Sequence, residues 1–92
     1  MIRRRLVVTG RVQGVFFRDW TAGQARALGL DGWVRNRADG SVEMVVAGAT
    51  EMVEAMIARV RQGSPASRVD DVAVSEDVSG DRLDGFVKRA TV

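Results

Sequence analysis

The segment Gly10-Arg11-Val12-Gln13-Gly14-Val15-Phe16-Phe17-Arg18 gathers the residues of this chain best suited to chemistry. Its two glycines permit backbone angles and close approaches that a side chain would block. Its end opens a helix, whose first amides lack intrahelical acceptors and carry partial positive charge. If successive N–H groups turn inward, the loop from Val12 to Arg18 becomes a nest for an anion. Arg18 then adds a planar, permanently charged fork matched to two phosphate oxygens. The same residues serve equally as a plain strand-to-helix turn with a solvated arginine. A nucleotide P-loop is excluded, because no Gly-Lys-Ser or Gly-Lys-Thr follows and the only lysine is Lys88.

Asn36 is the second candidate. It falls inside the strand-like run "GWVRNRADG", although asparagine is depleted in strands. It is either a surface residue beside a hairpin or, near the end of the sheet that carries the 10–18 loop, an amide that holds a water by donating and accepting hydrogen bonds. Asp19 next to Arg18 reads as a helix-surface acid rather than a general base, since neighbouring helical residues point about 100° apart.

Composition narrows the chemistry further. The chain has no histidine and no cysteine, which removes imidazole acid–base catalysis, thiol nucleophiles and the usual nitrogen and sulfur ligands of transition metals. No metal and no cofactor are expected. Formal charge is +2 while the sequence pI is near 10.4, since all but one of the 14 basic residues are arginine. Arginine at this level accompanies nucleic-acid binding or simply reflects compositional bias. The strands "RRLVVT" and "SVEMVVA" offer no aromatic for base stacking, so no nucleic-acid partner is expected. The run Leu6-Val7-Val8 is far shorter than the ~7–15 residues of a signal-peptide core, and no segment approaches the ~20 apolar residues of a membrane span. A cytoplasmic, monomeric protein without membrane contact is the expectation. With 92 residues, the chain is expected to form one domain, 1–92, without internal repeats.

The elements that must position these residues follow from periodicity. Residues 3–9 read as a Val-rich strand. Residues 16–28 read as a helix, with Phe17, Trp20, Thr21, Gln24, Ala25 and Leu28 at spacings of three and four, Gly23 costing roughly 1 kcal/mol and Gly29 as the stop. Two strands flank Asp39-Gly40, a dipeptide suited to a type I′ turn with positive φ at both positions. The later strand, 41–47, carries Val42, Met44 and Val46 on one face. Thr50 is the expected N-cap of a helix over 51–62, whose stripe Met52, Val53, Met56, Ile57 and Val60 reads as core. Residues 68–78 alternate Val72, Val74 and Val78 as a fourth strand, and "GFVKRATV" gives a short terminal one. The order strand, helix, strand, strand, helix, strand predicts an α+β, ferredoxin-like βαββαβ sandwich, one mostly antiparallel sheet with two helices on one face. That architecture serves enzymes, RNA-binding modules and small-molecule sensors alike.

"GRVQGVFFR" and "GWVRNRADGSVEMVVAG" resemble the two ordered signatures of the acylphosphatase family, and "ALGLDG" and "GSPASRVDDVAV" extend the resemblance over nearly the whole chain. Arg37 departs from the threonine that often follows the asparagine in animal members. The resemblance implies hydrolysis of the carboxyl–phosphate anhydride of a small-molecule acyl phosphate, giving a carboxylate and inorganic phosphate, the latter both product and competitive inhibitor. By position, Arg18 corresponds to the family's phosphate-binding arginine. The amides of Val12, Gln13, Gly14, Val15, Phe16, Phe17 and Arg18 correspond to its phosphate loop, and Asn36 to the asparagine that positions the attacking water. The substrate phosphate itself would take the water's proton, so no histidine, cysteine or metal is needed. Three alternatives stand beside it: a carbamoyl-phosphate-processing domain of hydrogenase-maturation type, which opens a longer chain bearing zinc-binding cysteines; an RNA-binding ferredoxin-like module; and a non-catalytic small-molecule sensor.

Overall fold

The computed structural model describes residues 1–92. The elements run β1 (Ile2–Arg11), α1 (Phe17–Ala27), β2 (Asp31–Asn36), β3 (Val42–Gly48), α2 (Thr50–Gln62), β4 (Arg68–Glu76) and β5 (Phe86–Lys88). One sheet holds all five strands in the order β4-β1-β3-β2-β5. Its pairings are antiparallel except β2 with β5, which run parallel. This is the ferredoxin-like arrangement that the order of elements predicts, with β5 added at the edge.

Period-two alternation decides which face is covered. Leu6 and Val8 of β1, Val34 of β2, Val42, Met44 and Val46 of β3, Val72 of β4 and Phe86 of β5 all turn to the helices. There they join Phe17, Ala22 and Ala25 of α1 and Val53, Met56 and Val60 of α2 in one buried cluster. Burying each of the larger side chains contributes about 1.5–3 kcal/mol. β1 lies inside the sheet, paired with β4 on one side and β3 on the other, so the segment leaving it is anchored by two neighbours.

The opposite face is held by charge. Glu43, only 3% exposed, is bracketed by Arg5 and Arg35, with Arg35 Nη2 at 2.7 Å from its Oε1. The guanidinium groups of Arg35 and Arg89 both lie over the ring of Trp33, at 4.6 and 4.7 Å from its centre. Trp33 is buried, so it offers no open stacking platform of the kind that single-stranded RNA requires.

Several local expectations need correction. The β2–β3 connection spans residues 37–41 and is not a two-residue type I′ turn, for Asp39 does not take positive φ; Gly40 does, at 93°. The reason is local: Asp39 Oδ1 accepts hydrogen bonds from the Ser41 amide at 2.9 Å and its hydroxyl at 2.6 Å, which fixes an Asx-type turn instead. Thr50 is the first helical residue rather than the N-cap. Because β3 continues to Gly48, Ala49 alone makes the connection, and its carbonyl accepts from both Met52 and Val53 amides at 3.0 Å. Met52 is exposed rather than core, and Val78 lies beyond β4, whose paired register with β1 ends at Glu76.

Candidate active site

Where β1 ends, its pairing with β4 shifts register between Thr9 and Gly10. Gly10 sits at φ 124°, and a Cβ there would lie 2.2 Å from the Arg68 carbonyl oxygen, so only glycine lets the chain leave the sheet at this point. Gly14, at φ 73°, has nothing within 4 Å of a would-be Cβ; its requirement is the left-handed backbone rather than space. Phe16 also takes a left-handed conformation, φ 60° and ψ 26°, the one non-glycine residue to do so, and forms the N-cap of α1 without any side-chain cap bond. Such a conformation costs about 1 kcal/mol or more for a residue with a Cβ.

The consequence of this path is a run of uncommitted donors. The first amide after β1 to find a backbone acceptor is that of Trp20, which donates to the Phe16 carbonyl at 3.1 Å; those from Val12 to Asp19 have none. Beside them lies a cleft of about 300 Å³, whose wall on this side is formed by Val12, Gly14, Phe16, Phe17 and Arg18. Asn36, at the end of β2, lines the same cleft from across the sheet, so the two candidates far apart in sequence meet in one cavity. Of the loop residues, Gln13 and Val15 do not line it. Val15 packs against the core, and Gln13 turns its side chain to the 37–41 connection.

Arg18, on the first turn of α1, is half-buried. Its Nη1 donates to the Arg89 carbonyl at 3.2 Å, which steadies the fork while leaving its other N–H groups uncommitted. The Asn36 side chain is half-buried and makes no hydrogen bond to another protein group, although its backbone is well held: its carbonyl accepts from the Val92 amide at 3.1 Å. Two further residues reach the cleft that sequence reasoning did not place there as a pair. Lys88 Nζ lies 2.5 Å from Asp19 Oδ1 at the rim. The Lys88 hydrogen bond, then its charge, holds the Asp19 carboxyl below the usual carboxylate range. A carboxylate so held is a weaker base, in keeping with the reading of Asp19 as an exposed acid. Periodicity could place Asp19 on α1, but only the parallel pairing of β5 with β2 brings Lys88 opposite it.

The acylphosphatase family model matches residues 4–88. The chain belongs to the acylphosphatase family. An acylphosphatase of Rhizorhabdus wittichii is 63% identical over 99% of this chain and 91% of its own length, and one of Acidiphilium cryptum is 50% identical over 99% of both. Among solved structures, the acylphosphatase from Bacillus subtilis superposes with a TM-score of 0.90 at 38% identity, covering 97% of this chain and 99% of that one. These relatives are matched along nearly their full lengths, so the acylphosphatase likeness takes in the sheet, both helices and every residue lining the cleft.

Proposed function

We propose that this acylphosphatase hydrolyses the carboxyl–phosphate bond of small acyl phosphates, with the phosphate held by the amides of residues 12–18 and by Arg18, and the attacking water held by Asn36. The water oxygen forms the new bond to phosphorus as the bond to the acyl oxygen breaks. The departing electron pair leaves as a carboxylate, and a proton of the water passes to a phosphate oxygen. A carboxylate is a good leaving group, so the reaction needs in-line placement and stabilisation of charge on the equatorial oxygens more than a strong base. The cleft supplies donors for that charge in the loop amides and the guanidinium, and an uncharged amide for the water. Inorganic phosphate, the product, should compete for the same donors.

One observation supports the reading: Val12, Gly14, Phe16, Phe17 and Arg18, whose amides have no backbone acceptor, line a single cleft together with Asn36, whose side chain makes no hydrogen bond to another protein group. The test is hydrolysis of benzoyl phosphate by the purified chain, followed by ultraviolet absorbance. Turnover inhibited competitively by inorganic phosphate is expected. Binding of phosphate without turnover would instead favour a non-catalytic sensor.

A further inference from the structure

The loop that would hold phosphate and the strand that would hold water belong to different parts of the chain, and one side chain joins them. Gln13 Nε2 donates to the Arg37 carbonyl and to the Ser41 carbonyl, each at 2.8 Å. Those carbonyls stand at the two ends of the β2–β3 connection, which is closed by the Arg37 amide donating to Ser41 at 2.9 Å. Both hydrogens of one amide group are therefore spent on the residues that directly follow Asn36 and directly precede β3. The orientation is fixed chemically: a flipped amide would set its oxygen against two carbonyl oxygens. No other side-chain hydrogen bond runs from residues 12–17 to the 37–41 connection.

We infer that Gln13 is a positioning residue for the hydrolysis, setting the distance between the phosphate loop and Asn36 by clamping the loop to the connection that ends β2. This rests on the roles proposed above for Arg18 and Asn36. The Gln13 side chain does not line the cleft and touches no reacting atom; it acts through Asn36. Phosphate contacts lie on its own side of the clamp, whereas the water contact lies on the other. Loosening it therefore blurs the geometry of attack while leaving the anion's donors in place. A misplacement of about 1 Å at a reacting pair costs up to about a hundredfold, so partial loosening should cost roughly tenfold.

The experiment is a kinetic comparison of Gln13→Met, which keeps length but removes both donors, with Asn36→Ala and the double variant, using benzoyl phosphate with inorganic phosphate as inhibitor. Gln13→Met should lower kcat by about tenfold while the phosphate inhibition constant changes by less than about threefold. Added to Asn36→Ala, it should cost little more, because the residue it positions is already gone. Gln13→Glu supplies a second readout. Its carboxylate would repel both carbonyls near neutrality, whereas the protonated acid can donate one bond, so its kcat relative to the unaltered enzyme should rise as pH falls from about 7 to 5. This variant decides the matter if Gln13→Met does not fold. Unchanged kcat with only a lowered Tm, equal loss of phosphate affinity, fully additive losses in the double variant, or a flat relative pH profile for Gln13→Glu would each overturn the inference. If Arg18→Ala and Asn36→Ala both retain turnover, the proposed function itself fails, whatever Gln13 does.

Discussion

Replacing Arg18 by alanine should remove most of the affinity for phosphate without unfolding the protein. In the free enzyme, the guanidinium spends one N–H on the Arg89 carbonyl at 3.2 Å, in a solvent-exposed bond whose loss should alter stability by only about 0.5 kcal/mol. The remaining donors can make two charge-assisted bonds to a phosphate, each contributing roughly 1.5–3 kcal/mol. Because the loop amides survive the substitution, the net loss should sit near the lower end of the sum, about 3 kcal/mol, or roughly a hundredfold. Arg18→Ala should thus raise the phosphate inhibition constant and lower kcat/KM for benzoyl phosphate by about that factor, with an unchanged circular dichroism spectrum. Arg18→Lys should recover only part, since a point charge lacks the planar fork. An inhibition constant within about threefold of the unaltered enzyme would refute the reasoning, because the uncommitted guanidinium would then not be a phosphate ligand.

Other outcomes follow from the core, the sheet face away from the helices and the chemistry. Thr21 is fully buried with a hydroxyl that meets no partner, so Thr21→Val should stabilise by about 1 kcal/mol and raise Tm by about 4–8 °C in calorimetry. Burial pushes the Glu43 carboxyl up, but hydrogen bonds and charge from Arg35 and Arg5 outweigh it and leave the group below its ordinary value. A carboxyl depressed in the folded state stabilises fully above its unfolded pKa of about 4.3 and less as pH falls through the folded value. Glu43→Gln should accordingly cost roughly 2 kcal/mol in urea unfolding at neutral pH, and the gap should narrow below about pH 4. Exhaustive dialysis against a chelator should leave hydrolysis undiminished; activity lost and then restored by a divalent ion would contradict the metal-free route.

Periodicity made the order of elements legible, because alternation at Val42, Met44 and Val46 and helical spacing at Val53, Met56 and Val60 each match the residues packed between sheet and helices. Both halves of the candidate site could also be picked out, as Gly10, Gly14 and Arg18 suit the loop proposed to hold phosphate and an asparagine inside a strand is out of place. What could not be read depends on partners distant in sequence or on competition within a turn. Asp39-Gly40 has the composition of a tight hairpin, yet the Asp39 side chain captures Ser41 and lengthens the connection. Gln13 bonds to carbonyls 24 and 28 residues away, and backbone acceptors leave no mark in a sequence. Lys88 joins Asp19 at the rim only because β5 runs parallel to β2 at the edge of the sheet.

The proposed hydrolysis turns on a division of labour between Arg18 and Asn36, which the phosphate inhibition constant of Asn36→Ala probes. Turnover of benzoyl phosphate should fall by about a hundredfold while inorganic phosphate inhibits nearly as well as before, because the loop amides and Arg18 remain. Loss of phosphate affinity as deep as that of Arg18→Ala would contradict it and make Asn36 a phosphate ligand instead.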